Sequence, residues 1–287
     1  MNARKTLRYL CTMGGDRRRL HSRRALLLAL AVLIPGIPIA IGIAIGLQKP
    51  GAGAAATTVA GFTPVGPSAH AATTTTPAKP KLPAVPGGSG ALVGRVVHPT
   101  ALRAAPNPGA HEIARILTKT EFGSPEVLWV ADHVPGWLGV MTPQAGNGRV
   151  GWIAQSAVSL SRESWKLEVA LGARRLTVLD HGKVVIRYTV AIGAPAAPTP
   201  TGRFAVTDRL VTDDPAGPNG CCILALSAHS PHAIQGWTGG TRIAIHSTPD
   251  SGSIGEAASH GCVRVTLAEG RWLLAHIPLG TPTLISS

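Results

Sequence analysis

The longest apolar segment of the chain lies near its N-terminus. Residues 25–47 read ALLLALAVLIPGIPIAIGIAIGL and contain no charged side chain. About 20 apolar residues form a helix that can cross a membrane, and the two prolines in this segment are tolerable there as kinks. The pattern therefore predicts a transmembrane anchor. The alternative is a secretory signal peptide that is cut in the small-residue run GAGAAA at residues 51–56.

Short apolar segments separated by turn residues follow over residues 91–160. The segments LVGRVV, EIARIL, VLWV, GWLGVM, GRVGWI and AVSL occur there at nearly regular spacing. Such spacing is typical of a small all-β barrel or sandwich. Three tryptophans of this segment, Trp129, Trp137 and Trp152, are interpreted as core residues, with a ligand-stacking face as the alternative.

A second β pattern occupies residues 163–287. The segment WKLEVAL alternates cleanly, and RRLTVLDHGKVVIRYTVAIG predicts a hairpin that turns at residues 180–182. In the strand TRIAIHS, Ile243 and Ile245 share one face. We therefore expect a β-rich domain here.

One helix is predicted near the end of this second domain. In the segment TLAEGRWLLAHI, Thr266 and Glu269 have the spacing of a capping box. Leu267, Leu274 and Ile277 approximate one apolar stripe. The predicted fold class is mainly β with this short helix after the cysteine-containing stretch.

The positive charge of the chain is concentrated before the apolar segment. Residues 1–24 hold eight basic side chains against Asp16 alone, which is +7 of the total formal charge of +13. A positive flank stays in the cytoplasm, so everything after residue 47 is predicted to lie outside the membrane. Nucleic-acid binding is not expected, because that function needs basic residues clustered on a folded domain. Residues 48–90 are rich in Ala, Thr, Pro, Gly and Ser. This composition predicts an unfolded tether between the anchor and the domain that follows.

The stretch HSTPDSGSIGEAASHGCVRV, residues 246–265, collects the reactive side chains. His246 ends the strand TRIAIHS, where a side chain can face a cleft, and Cys262 follows 16 residues later. An imidazole within hydrogen-bond reach of a cysteine gives a thiolate–imidazolium pair, which is a nucleophile at neutral pH. Gly261 permits a bend before the thiol, and backbone N–H groups around Gly261 and Cys262 are natural donors for an oxyanion hole. The stretch therefore predicts an acyl-transfer site.

Zinc binding and a structural disulfide are the alternatives for this stretch, and both are less favoured. His246, His260 and Cys262 could bind zinc, but His260 and Cys262 are only two residues apart, and no fourth ligand stands at metal spacing. Cys262 could instead form a disulfide with Cys221 or Cys222, since exported cysteines usually pair. A disulfide accounts for the thiol but not for the SHG that precedes it. Cys221 and Cys222 are interpreted as small, mostly buried strand residues, because a bond between adjacent cysteines is uncommon.

A strand ending in IHS, a loop and then SHGCVRV, with TPTGRF upstream, resembles the L,D-transpeptidase catalytic domain of the YkuD type. The resemblance covers residues 165–287 and implies a β-sandwich with the cysteine on a loop at one edge. It implies that Cys262 is the nucleophile and that His246 accepts and donates the proton, oriented by a backbone carbonyl near Ser247. The residues that it implies for the oxyanion hole and the pocket are Ser247, Ser259, His260, Gly261 and Arg264.

Two further parts of the chain carry weaker resemblances. The spacing of LR, AP, FG, LWV, GWLGV and NGRVGWI over residues 91–160 resembles a bacterial Src-homology-three-like (SH3-like) barrel, a module that often accompanies cell-wall enzymes. A flap over the donor site is implied somewhere in HSPHAIQGWTGG. Trp237 in that segment is a lid candidate, although a buried structural role is preferred.

The function implied by the resemblance is peptidoglycan cross-linking outside the membrane. The cysteine would attack a stem peptide after its third residue, release D-alanine, and pass the acyl group from the thioester to the third-residue amine of a neighbouring stem. Water as acceptor would make the site a carboxypeptidase, and a protein amine would make it an anchoring enzyme. No cofactor or metal is implied, and carbapenems are expected to acylate Cys262.

The expected partners are peptidoglycan stem peptides and, through the anchor, the membrane. Oligomeric state is left open. The competing hypothesis from another class is a non-catalytic, membrane-tethered wall-binding protein in which the small barrel is the working part and the C-terminal domain is inert.

Overall fold

The computed structural model describes residues 89–231 and 240–287. The predicted basic tail and anchor, most of the predicted tether, and Trp237 of the predicted flap lie outside the described residues. In the part of the chain that is described, no helix is long and apolar enough to cross a membrane. This part is mainly β-structure with one short α-helix, which confirms the fold class predicted from the pattern.

Residues 91–163, here called the small β-domain, form a seven-stranded antiparallel sheet. Its strands are β1 (Ala91–Val96), β2 (Thr100–Arg103), β3 (Glu112–Ile116), β4 (Val127–Val134), β5 (Trp137–Met141), β6 (Val150–Ala154) and β7 (Val158–Glu163). Their order in the sheet is β3-β2-β6-β5-β4-β1-β7. The core of this domain includes Leu102, Leu128, Leu138 and Ile153. The finer assignment to the SH3-like class stays a prediction.

The C-terminal domain, residues 164–287, is built on an eight-stranded sheet. Its elements in chain order are β8 (Trp165–Ala170), β9 (Arg175–Asp180), β10 (Lys183–Thr189), β11 (Ile192–Gly193), β12 (Gly202–Val211), β13 (Cys222–His229), β14 (Arg242–Thr248), β15 (Ala257–Ser259), β16 (Val263–Thr266), α1 (Leu267–His276) and β17 (Pro282–Ser286). The large sheet has the order β10-β9-β8-β17-β12-β13-β14-β16, and β11 pairs with β15 in a separate two-stranded ribbon.

One face of the large sheet carries the core of the C-terminal domain. In β14, Ile243 and Ile245 belong to this core, as their alternation predicts, and Phe204 is its largest fully buried side chain. The intervening residues of β14, which include Ala244 and His246, therefore point to the opposite face of the sheet. That opposite face therefore carries His246, the predicted base.

Local signals place the hairpin and the helix correctly. Strands β9 and β10 pair directly across residues 181 and 182, where His181 and Gly182 both have positive φ, as a tight two-residue turn requires. At the start of α1 the Thr266 side chain accepts from the Glu269 backbone N–H, and the Glu269 carboxylate accepts from the Thr266 N–H. Both predictions are therefore confirmed.

The apolar stripe predicted for α1 is only partly correct. Ile277 is buried, but the helix residues that are fully buried are Gly270 and Leu273, whereas Leu267 and Leu274 are half-exposed. The helix packs against β13 and β14 through Gly270, where a side chain would collide with Ser247. Glycine has no side chain and does not count towards an apolar stripe. The pattern therefore predicted that the neighbouring leucines form the buried face.

The three tryptophans of the small β-domain are half-buried. Trp129 lies under the guanidinium of Arg203 from β12, 5.9 Å from the ring centroid to the Arg203 Cζ, and so contacts the C-terminal domain. Trp152 lies over Gly139, where a Cβ would come within 3.3 Å of the indole ring. The core cluster found among the described residues of this domain includes none of the three, so their interpretation as core residues is not confirmed.

Candidate active site

Cys262 stands at the end of a tight turn, directly before β16. The preceding residue, Gly261, has a φ of +116°, a conformation that L side chains rarely adopt. Ser259 closes the turn because its hydroxyl accepts from the Gly261 N–H at 3.1 Å and donates to the Cys262 carbonyl at 2.5 Å. The Ser259 side chain and the backbone conformation of Gly261 therefore fix the turn that carries the thiol.

The register between β14 and β16 brings the cysteine turn beside His246. The two strands are parallel, with Ile245 opposite Val263 and His246 opposite Arg264. Cys262, one residue earlier, is therefore opposite Ala244 and shares a face with His246. Neighbouring strands lie about 4.8 Å apart and rise about 3.3 Å per residue, so the Cα atoms of such diagonal neighbours are roughly 8 Å apart, a span that an imidazole and a thiol can bridge.

His246 is buried, with 2% of its surface exposed, and a hydrogen bond to the backbone orients its ring. The Nδ1 atom lies 2.8 Å from the carbonyl oxygen of Ser247. Because a carbonyl only accepts hydrogen bonds, Nδ1 carries the proton in this contact, and Nε2 of the neutral ring is the acceptor. This is the backbone carbonyl that the family resemblance implies.

Ser247 holds its position through contacts on the other side of the strand. Its hydroxyl accepts from the Cys222 N–H at 3.1 Å, and it is fully buried. A Cβ at Gly220 would collide with the Ser247 hydroxyl oxygen, and one at Gly270 would lie 2.6 Å from the Ser247 Cβ. The side chain of Ser247 thus anchors the end of β14. The backbone carbonyl of Ser247 faces the His246 imidazole.

A disulfide joins Cys221 to Cys222, and Cys262 carries a thiol outside it. The burial predicted for the adjacent pair is confirmed, but the pair is bonded, which sequence reasoning treated as the uncommon case. The alternative that Cys262 pairs with one of them is wrong. Local sequence could not show which cysteines are bonded. Either cysteine of the pair could equally form a disulfide with a third cysteine that the fold brings near.

The zinc alternative has no geometric support in the described residues. His260 is exposed, whereas His246 and Cys262 are buried. Within residues 89–231 and 240–287, no group of three His, Cys, Asp or Glu side chains could hold a metal ion. The role of His260 in the pocket stays a prediction.

Arg264 occupies the position opposite His246 and is half-buried. Its backbone N–H and carbonyl pair with Ala191, at 2.9 Å and 3.0 Å. Its Nε is buried and has no hydrogen-bond partner among the described residues. A buried guanidinium N–H without a partner is costly, and a carboxylate or carbonyl of a bound substrate would satisfy it.

The ribbon formed by β11 and β15, together with the loop that follows β11, supports the cysteine turn. The parallel ribbon of β11 and β15 pairs Gly193 with Ser259, and the Ala194 N–H donates to the Ser259 carbonyl at 2.8 Å. The hydroxyl of Thr199 accepts from the Gly193 N–H at 2.8 Å. The carbonyls of residues 197 and 198 then lie within 3.7 Å of the position of a Cβ at Gly261. No periodic pattern marks a two-residue strand, so this support was missed.

Comparison with known proteins finds a family model that matches the C-terminal domain. Residues 164–285 match the YkuD family model, which describes the L,D-transpeptidase catalytic domain. The putative L,D-transpeptidase YkuD of Bacillus subtilis is 31% identical over 122 residues, which are 42% of this chain and 66% of that protein. Its counterpart in Bacillus licheniformis is 30% identical over the same shares. The chain thus spans just under two thirds of the length of these relatives.

Solved structures of similar proteins include L,D-transpeptidases. A mutant of the Enterococcus faecium enzyme aligns with a TM-score of 0.34 and 24% identity, over 43% of this chain and 50% of that chain. The enzyme of Mycobacterium smegmatis aligns with a TM-score of 0.35 and 19% identity, over 53% and 90%. The sequence matches are those with the family model and with the two Bacillus proteins. Those matches support an L,D-transpeptidase catalytic domain in residues 164–285.

Proposed function

We propose that this protein, whose residues 164–285 match the L,D-transpeptidase catalytic domain of the YkuD family, is a peptidoglycan L,D-transpeptidase that works through a cysteine thioester. The observation that carries the proposal is the orientation of His246. Its Nδ1 is held by the Ser247 carbonyl at 2.8 Å, and it shares one face of the sheet with Cys262. Nucleophile, oriented base and bent backbone are the parts that acyl transfer needs.

In the proposed first half-reaction, Nε2 of His246 takes the proton of the Cys262 thiol. The thiolate attacks the carbonyl carbon of the amide between the third residue of a stem peptide and its terminal D-alanine. The tetrahedral oxyanion forms beside the backbone of the cysteine turn. The amide breaks, the His246 imidazolium protonates the leaving nitrogen, and D-alanine departs, which leaves the acyl group as a thioester on Cys262.

The second half-reaction reverses these roles. The side-chain amine of the third residue of another stem attacks the thioester carbonyl, and His246 takes a proton from that amine. The C–S bond breaks, the Cys262 thiol is restored, and a new amide joins two third-position residues. Water in place of the amine would give a carboxypeptidase, and an amine on a protein would give anchoring to the wall.

Two turn residues have supporting roles in the proposal. The Gly261 N–H is occupied by the Ser259 hydroxyl, so Gly261 contributes through its backbone bend rather than through its own amide. Arg264 is placed to bind a polar oxygen of the substrate, since its buried Nε has no partner among the described residues. This role would orient the stem peptide beside His246.

The proposal requires that the C-terminal domain lie outside the cytoplasmic membrane, where peptidoglycan is built. The predicted anchor at residues 25–47 and the basic residues before it would place it there. The small β-domain would then stand between the membrane and the catalytic domain in the chain.

Acylation by a carbapenem tests the proposal on the full chain. The native protein is incubated with the drug, and its intact mass is measured over time. We expect a single adduct, which the Cys262→Ala variant lacks and a Cys221→Ser/Cys222→Ser variant retains. A native protein without an adduct, or an equal adduct on Cys262→Ala, contradicts the proposal. Analysis of muropeptides from cells with and without Cys262 then identifies the acceptor.

A further inference from the structure

The segment between β3 and β4 of the small β-domain, residues 117–126, is a self-supported hairpin. The Thr120 N–H donates to the Ser124 carbonyl at 2.9 Å, and the Glu126 N–H donates to the Thr118 carbonyl at 3.0 Å. Gly123 closes the tip with a φ of +88°, and its N–H donates to the Thr120 carbonyl at 3.0 Å. Residues 121 and 122 are therefore displayed at the tip of a defined turn. We call this segment the 117–126 hairpin.

The tip of the 117–126 hairpin docks on the C-terminal domain. The Thr120 hydroxyl donates to the Asp208 carboxylate of β12 at 2.5 Å. The next residue, Glu121, accepts from the Arg242 guanidinium of β14 at 2.5 Å. The Arg242 Cζ also lies over the ring of Phe122, 5.7 Å from its centroid. Three consecutive side chains of one domain are thus held by two strands of the other.

Arg242 is a fixed support for this contact. It is buried, with 8% of its surface exposed. Its Nε donates to the Leu226 carbonyl at 3.0 Å, and its Nη2 donates to the Thr207 hydroxyl at 2.6 Å. Because the guanidinium is held from both sides, the aromatic ring stacked on it has little freedom to move.

Phe122 also reaches the cluster that contains the reactive cysteine. It packs against a buried group on the His246 face of the sheet, formed by Leu210, Ile223, Ala244 and Cys262. Phe122 itself is only partly buried, so its ring stands between this group and the solvent. A ring placed there restricts which groups can approach the cysteine.

We propose that the 117–126 hairpin completes the substrate cleft and that Phe122 is a specificity-determining residue which limits the size of the group lying beside the Cys262 thiol. The inference rests on the proposed function, because it treats Cys262 as the reacting group. It assigns the small β-domain a share in the active site of the C-terminal domain. The leaving D-alanine of the proposed acyl donor, whose side chain is a methyl group, is of the size that such a cleft admits.

The test measures how strongly the alkylation rate of Cys262 depends on the size of the reagent. The full chain is treated with iodoacetamide or with the bulkier N-benzylmaleimide, and the labelled cysteine is located by peptide mass mapping. In Phe122→Ala we expect the rate ratio of the bulky to the small reagent to rise roughly tenfold, the range in which small changes of an apolar pocket act. In Phe122→Trp the ratio should fall.

A control in the same hairpin is Leu117→Ala, since Leu117 is 55% exposed and should leave the ratio unchanged. Phe122→Leu keeps an apolar side chain and should give an intermediate ratio, so it decides the outcome if Phe122→Ala does not fold. A ratio equal to that of the native chain in the folded Phe122 variants overturns the inference. Alkylation needs no transpeptidase activity, so an unchanged rate ratio overturns this inference alone. Failure of carbapenem acylation would contradict the proposed function itself.

Discussion

The Nδ1 atom of His246 lies 2.8 Å from the carbonyl oxygen of Ser247, the next residue in the chain. The base of the proposed site is therefore oriented by the backbone and not by a carboxylate. Its direction depends on the position of one peptide group, and that position is set by the packing of the Ser247 side chain against Cys222, Gly220 and Gly270.

Replacement of His246 by asparagine should separate orientation from proton transfer. The asparagine amide can still donate to the Ser247 carbonyl, but it offers no Nε2 to accept the thiol proton. We expect carbapenem acylation to slow by about 10²–10⁴-fold, the usual contribution of a general base, with the fold retained. Acylation followed by intact mass measures the rate. The control is His181→Asn, an exposed turn residue with φ of +49°, which asparagine tolerates. A His246→Asn rate within twofold of the native rate contradicts the role of base.

Substitution of Gly261 by alanine should damage the cysteine turn. The main cost is the φ of +116°, because the nearest atom to the new Cβ is the Ile243 Cδ1 at 2.9 Å, which can rotate away. We expect a loss of roughly 1–3 kcal/mol in the free energy of unfolding, with acylation strongly reduced. Denaturant unfolding and the acylation rate are the measurements. Gly252→Ala, which meets only an Asp250 oxygen at 3.4 Å, is the matched control and should change neither quantity.

Substitution of Gly270 by alanine should change the orientation of His246 indirectly, through Ser247. Alanine improves helix propensity by about 1 kcal/mol, but its Cβ would lie 2.6 Å from the Ser247 Cβ. Overpacking of this kind costs about 1–3 kcal/mol, so we expect a net loss of stability and a slower acylation as Ser247 shifts. The exposed neighbour Arg271 gives the control Arg271→Ala, which should behave like the native protein. If Gly270→Ala is more stable than the native protein and equally active, the packing argument fails.

Glu126, at the base of the 117–126 hairpin, should make stability depend on pH. Burial first, and then the neighbouring charge of Asp208, raise the pKa of Glu126 from 4.5 to about 7, and Arg242 opposes them. Because the folded pKa is raised, the neutral form is favoured in the folded state. The stabilisation is fully present below pH 4.5 and is lost as the pH rises through about 7, by an amount on the order of 3 kcal/mol.

The Glu126→Gln variant tests this dependence, because glutamine is neutral at every pH. We expect its melting temperature to match the native value near pH 4.5 and to exceed it at pH 8. The charged groups that face Glu126 are Asp208, Glu121 and Arg242, and they remain in both proteins. Glu168→Gln, an exposed partner of Lys166, serves as the control. Parallel pH profiles of the native and Glu126→Gln proteins would show that Glu126 does not titrate in this range.

Several features of the fold followed from local sequence. The turn of β9 and β10 and the capping box of α1 depend on residues that are neighbours in the chain, so their chemistry could be recognised directly. The alternation of Ile243 and Ile245 indicated which face of β14 carries the main hydrophobic core, and hence that His246 lies on the other face. The prediction of a nucleophile and a base needed the family resemblance as well, since the alternatives of zinc and a disulfide used the same residues.

Contacts between distant residues were decided only by the tertiary structure. Sequence reasoning could not identify the bond between Cys221 and Cys222, the ribbon that supports the cysteine turn through Gly193, or the placement of Phe122 against the Cys262 cluster. Periodicity states which side of an element is buried, but not which other element covers it. That choice depends on strand order, register and the shapes of the packed surfaces. For this protein the sequence by itself determined most of the longer strands, the helix and the candidate residues His246 and Cys262, and tertiary packing decided which residues surround them.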